Sequence, residues 1–169
     1  MFEYMAIHSR IVVTGPQRSG TTITAKMIAH DIGHRYVDEA EFAVYDVEKW
    51  RKIVTEEDRV VVQCPHMLKI IVDSPLPDIL VVLMRRNLED IHNSERRIDW
   101  EYRFRGNTRE LALFGLVEGD SAQLKYDYWD STSPKPANFI EIDYESLRNH
   151  PLYVAKEHRV NFHCKQTAV

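Results

Sequence analysis

The chain has 169 residues, 44% of them hydrophobic and 28% charged, with a formal net charge of −4. That length suits one domain with one core. The acidic balance argues against broad nucleic-acid binding, and no apolar run approaches the ~20 residues that span a bilayer, so no membrane partner is expected. Two distant cysteines, Cys64 and Cys164, give neither a disulfide framework nor a metal-ligand spacing. The eight histidines are scattered, so no metal is expected. The N-terminal MFEYMAIHSR lacks a basic start followed by an apolar stretch. No signal peptide is expected, and a reducing cytoplasm is the default compartment.

Residues 11–14 (IVVT) are a β-branched run ending at Gly15, the pattern of a buried strand. Residues 21–32 follow helical spacing, with Ile23, Met27, Ile28 and Ile32 on one side and Gly33 as the stop. Residues 36–37 suggest a short second strand ending at Asp38 and Glu39, and residues 44–54 a helix. Residues 59–63 (RVVVQ) read as a third strand stopped at Pro65, and residues 66–72 as a short helix before the SPLP turn. Residues 78–84 (DILVVLM) are apolar enough for a strand covered on both faces. A helix is expected over 88–100, a charged and aromatic helical stretch over 101–130 with a loop near Gly119, and a turn-rich connector over 131–136. A fifth strand at 139–142 precedes a last helix opening at 144–149, and a polar, basic tail follows Pro151.

Strands alternating with helices predict one three-layer α/β/α domain over residues 1–169, with a five-stranded parallel sheet. Ligands of such domains bind beyond the carboxyl ends of the strands. The chemically informative residues fall there.

Gly15 and Gly20 bracket four residues between a strand and a helix, as in the phosphate loop G-x-x-x-x-G-K-[ST]. Gly15, Arg18, Ser19, Gly20, Thr21 and Thr22 are the candidate phosphate binders, because exposed N–H groups at a helix start favour an anion. The lysine position holds Thr21, and the nearest cation is Arg18. Neither Gln63-Cys64 nor Met84-Arg85-Arg86 supplies the acid that holds magnesium in nucleotide triphosphatases. Arg86 and Ser94 stand eight apart, spaced so that a guanidinium and a hydroxyl two helical turns on can reach one phosphate.

On these residues the chain resembles the PAPS-dependent sulfotransferases, as a short and divergent member with a P-loop-like fold. Arg18-Ser19-Gly20-Thr21-Thr22 matches the family's K/R-S-G-T-T loop. Residues 86–94 (RNLEDIHNS) match R-[ND]-P-x-[DE]-x-x-x-S, with Leu88 in place of proline. Tyr144-Glu145-Ser146-Leu147, followed by Pro151, matches Y-E-D-L. The resemblance implies PAPS as the cofactor and adenosine 3′,5′-bisphosphate as its product. The loop would bind the 5′ end and Arg86 with Ser94 the 3′-phosphate.

For the base of the transfer, the resemblance offers His66, in QCPHM where the family has K-T-H-x-P, and Glu39 after the second strand. Arg18 would stabilise the leaving phosphate. The alternative for His66 is a helix cap, and for Glu39 and Glu41 a solvated surface. Cys64 reads as a small buried residue. The basic and aromatic segment at 94–105 either lines an acidic acceptor site, covers the nucleotide, or is a solvated helix with Trp100 and Phe104 in the core. Arg159 and Lys165, with Gln166, stand where the family closes a basic loop over the nucleotide. A chain this short implies a small-molecule acceptor, or an acceptor site completed by a second copy of the chain. Two other readings stay open: a kinase using ATP and magnesium, and a nucleotide-binding module without chemistry.

Overall fold

The computed structural model describes residues 1–154. The parallel strands are β1 (Arg10–Thr14), β2 (Arg35–Val37), β3 (Val60–Gln63), β4 (Leu80–Arg85) and β5 (Phe139–Asp143), in the order β2-β3-β1-β4-β5. Val12 lies opposite Val62 on one side and Val81 on the other, so β1 is central. Among the described residues, no helix is long and apolar enough to cross a membrane.

Successive side chains of a strand point to opposite faces, and the core divides accordingly. Ile11, Val13, Val61, Val82 and Met84 face helix α1 (Thr21–Ile32). Val12, Val60, Val62, Val81 and Leu83 face α2 (Val47–Glu56), α3 (Leu68–Asp73) and α7 (Ser121–Ser131), through Trp50, Leu68, Ile71 and Trp129. This makes the three layers of an α/β/α domain. The near-continuous apolar runs of β1, β3 and β4 follow from burial on both faces. The edge strand β5 is half exposed.

Several elements differ from the sequence reading. The helix expected at 44–54 starts at Val47, because the Asp46 carboxylate accepts the Lys49 N–H and caps it there. The residues before it form a 3₁₀ turn, Glu39–Phe42, closed by a capping box between Asp38 and Glu41. The helix expected at 66–72 is a 3₁₀ turn, Pro65–Met67, followed by α3. The helix expected at 88–100 is broken: α4 (Leu88–Arg97) ends before Asp99, which adopts a left-handed conformation (φ 52°). A one-turn helix α5 (Trp100–Phe104) and α6 (Gly106–Ala112) follow. Neither Trp100 nor Phe104 enters the core, because α5 buries none of its residues. Tyr144–Asn149 is a 3₁₀ helix rather than the opening of an α-helix.

Candidate functional site

The site forms where β1 runs into α1. Gly15 (φ 138°) and Arg18 (φ 64°) both adopt positive φ, which folds the chain back over the end of β1. Such a conformation is costly for arginine, and strain of this kind gathers at functional sites. Ser19 Oγ donates to the Pro16 carbonyl at 2.7 Å and braces the turn from inside. Gly20 is the N-cap of α1 and offers no side-chain cap. The first-turn N–H groups have no partner within the helix, and they open with the positive end of the helix dipole onto a cleft of about 250 Å³.

Arg86, just beyond β4, and Ser94, on α4, complete the cleft wall with Arg97 and Tyr144. Asn87 explains how the segment is built: its Oδ1 accepts from Glu89 N at 2.8 Å and from Asp90 N at 3.4 Å, which starts α4 without a proline. Tyr126 of α7 fixes the preceding turn, its hydroxyl oxygen accepting from Arg86 N at 2.9 Å. Burial pushes that phenol up to about 12, so it stays protonated. Arg18 Nε donates to Ser94 Oγ at 3.1 Å, and Arg86 donates to the Arg18 carbonyl at 2.8 Å. The Arg86 guanidinium lies over the Tyr144 ring, 4.3 Å from its centroid. The two arginines expected at opposite ends of a ligand therefore join in one bonded set. Among the described residues, Arg86 Nε is buried without a hydrogen-bond partner, a donor suited to a phosphate oxygen.

The remaining candidates meet on the other side of the loop. His66 does not cap a helix but lies inside the Pro65–Met67 turn, 9% exposed and flanked by two carboxylates. Its Nδ1 pairs with Glu110 of α6, and its Nε2 lies 3.4 Å from Glu39 Oε1. Gln17 of the loop brings its amide nitrogen within 2.8 Å of His66 Nε2, tying this cluster to the phosphate loop. Tyr45 packs against the imidazole with ring centroids 4.8 Å apart. Burial pushes the Glu39 carboxyl up, against the pull of His66. Glu41 is exposed and paired with Arg35, so the solvated reading holds for it and fails for Glu39.

Glu110 and Lys125 are the residues that sequence reasoning missed. Both are 1% exposed, and they pair with each other. Burial opposes the charge on Glu110, but Lys125 and His66 outweigh it and bring the carboxyl down to about 2. Cys64 is fully buried, as its strand-end position suggested, and burial pushes its thiol well up.

The strands flanking β1 end in Gln63 and Arg85. Gln63 Nε2 approaches Thr21 Oγ1 at 3.4 Å, and no carboxylate ends either strand. Thr22 is exposed and lines the cleft. Arg159 and Lys165 lie outside the described residues. The scattered histidines do meet at the far end of α1, where His30 and His150 each approach Asp31 Oδ1 at 3.0 Å. There the Leu152 N–H donates to His150 Nδ1 at 3.1 Å, so Nε2 carries the proton and donates to Asp31. That arrangement is a hydrogen-bonded lock between α1 and residue 150.

The fold is a three-layer α/β/α domain with a five-stranded parallel sheet. No family model matches the chain, and no curated protein matches it. Among solved structures, it is similar to a gluconokinase from Sinorhizobium meliloti 1021 at 17% identity and TM-score 0.42, over 86% of this chain and 85% of that one. It is also similar to a shikimate kinase from Acinetobacter baumannii in complex with shikimate, at 16% identity and TM-score 0.45, over 84% and 88%. A third is an uncharacterized protein from Eubacterium ventriosum, at 14% identity and TM-score 0.42, over 79% and 88%. At these identities the likeness concerns the course of the chain alone.

Proposed function

We propose that the protein is a group transferase that takes an adenine nucleotide by its phosphates in the cleft above α1. The observation that carries this reading is the convergence of Arg18, Arg86, Ser94 and an uncapped helix start on one cavity, with Arg86 Nε left for a ligand. PAPS suits a cleft walled by arginine, without a loop lysine and without an acid on the strand ends beside it. When bound, it supplies a sulfuryl group carried on a phosphate. Arg18 and the first-turn N–H groups would hold the charge that develops on that phosphate. His66 or Glu39 would take the proton of a small hydroxyl or amine acceptor on the β3 side of the loop.

A second reading is phosphoryl transfer from ATP with magnesium. The exposed Thr22 hydroxyl favours it, since it stands in the cleft at the G-x-x-x-x-G-K-[ST] position that meets the metal. The two named neighbours are kinases of small molecules, a likeness of fold that does not choose between donors. Gln63 and Arg85 at the strand ends do not suit a divalent cation.

Isothermal calorimetry separates the readings. Adenosine 3′,5′-bisphosphate is expected to bind without metal, and Arg86→Ala to weaken it by ~10–100-fold, the scale of a lost hydrogen bond to a charged group. Binding of ATP only with magnesium, and none of the bisphosphate, selects the second reading. Bisphosphate binding with no turnover of any acceptor leaves a module without chemistry.

A further inference from the structure

Two carboxylates compete for His66, and they are not equivalent. Glu110 is sealed in the interior at 1% exposure, and its counter-charge, Lys125, is sealed with it. Lys125 also donates to the Pro65 carbonyl at 3.0 Å, so it holds the residue before His66 as well as the carboxylate beside it. Glu110 meets Nδ1 directly, whereas Glu39 stands back at 3.4 Å from Nε2. An ionised carboxylate only accepts hydrogen bonds, so the nitrogen facing Glu110 must carry a proton. The Gln17 amide nitrogen stands nearer the other nitrogen, 2.8 Å from Nε2 against 3.3 Å from Nδ1, and an amide N–H can only donate to it.

We propose that Glu110, anchored by Lys125, is the positioning residue of this site: it binds the Nδ1–H of His66 and presents Nε2, facing Gln17 and Glu39, as the proton acceptor. The inference rests on the transferase reading and deepens it, by choosing His66 over Glu39 as the base. The physical logic is that of an imidazole whose tautomer is set by the partner of its other nitrogen. Three separate elements are joined in one chain. Lys125 comes from α7, Glu110 from α6 and His66 from the turn after β3, and the chain reaches the phosphate loop at Gln17. A buried pair also explains why a lysine and a glutamate survive in the interior: each is the other's counter-charge.

The test is the tautomer of His66 in the full chain, read by long-range ¹H–¹⁵N NMR at mildly alkaline pH, with His66→Gln used only to assign the signal among the eight histidines. The wild type is expected to show the Nδ1–H form as the dominant neutral species. The double variant Glu110→Gln with Lys125→Met removes both buried charges together, which avoids leaving one unpaired. It is expected to shift the tautomer ratio by ~10-fold, the size of exchanging a charged for a neutral acceptor. A dominant Nε2–H form in the wild type overturns the proposal, and that spectrum decides even if the double variant does not fold. An unchanged ratio in a folded double variant also overturns it. Calorimetry with the bisphosphate on the same wild-type sample keeps the two failures apart. Loss of nucleotide binding removes the transferase reading and the base role with it, whereas a wrong tautomer with intact binding removes only Glu110's role.

Discussion

Gly20 carries two constraints at once. Its φ of 105° disfavours any side chain, and a Cβ there would meet the Tyr144 ring at 2.4 Å. The same ring lies under Arg86, so loop, ring and guanidinium are stacked in one column. Gly20→Ala is therefore expected to cost ~1–3 kcal/mol of stability from backbone strain and overpacking. The same substitution should weaken bisphosphate binding by at least ~10-fold by displacing Arg86. Urea unfolding and calorimetry check the two effects. Unchanged affinity in a folded variant would show that the ring and the guanidinium move independently. Local spacing singled out Gly20, Arg18 and Arg86 in the sequence, and the structure brings all three to one cleft. Glu110 was not singled out, because NTRELALF carries no motif around it, and its partners His66 and Lys125 are distant in the chain.

At the scale of elements, the segment from α4 to α6 is the part the sequence misplaced. Nothing in RIDWEYRFR is glycine or proline, so the pattern reads as a continuing helix. The structure brackets the one-turn α5 with two left-handed residues, Asp99 (φ 52°) and Arg105 (φ 49°). Those reversals fold α6 back toward the strand ends, where Glu110 reaches His66. Glycine at the second reversal removes the left-handed cost and adds a smaller entropic one. Arg105→Gly is thus expected to raise stability by ~0.5–1 kcal/mol, with nucleotide affinity unchanged. A lower urea midpoint would mean that the arginine side chain holds α5 in place. By contrast, α1 starts and stops where expected, because Gly20 and Gly33 punctuate it in the sequence itself.

For the molecule as a whole, a partly buried carboxyl, Glu95, and a fully buried one, Glu110, set the response to pH. Burial raises Glu95 to about 7, with His92 opposing. Its proton is held more tightly folded than unfolded, so its contribution is complete at acid pH and is lost as pH rises through about 7. Glu110, lowered to about 2 in spite of its burial, contributes in the opposite sense. Its share is present above the ordinary carboxylate range and is lost as pH falls toward 2. Stability should therefore decline between about pH 5 and pH 8 in the wild type, and less steeply in Glu95→Gln. Urea titrations across that range test it; parallel slopes in the two proteins would remove Glu95 as the cause.

The sequence by itself determined the α/β/α class, the five strands and the glycine-bracketed turn from β1 into α1. Each of these is written in short-range patterns, namely apolar runs buried on both faces and glycines where the chain must turn. Only the tertiary structure decided that Arg18, Arg86 and Ser94 touch one another, and that Glu110 and Lys125 stand behind His66. Those contacts join residues far apart in the chain. A buried charge looks like a surface charge until its counter-charge is brought to it by the fold.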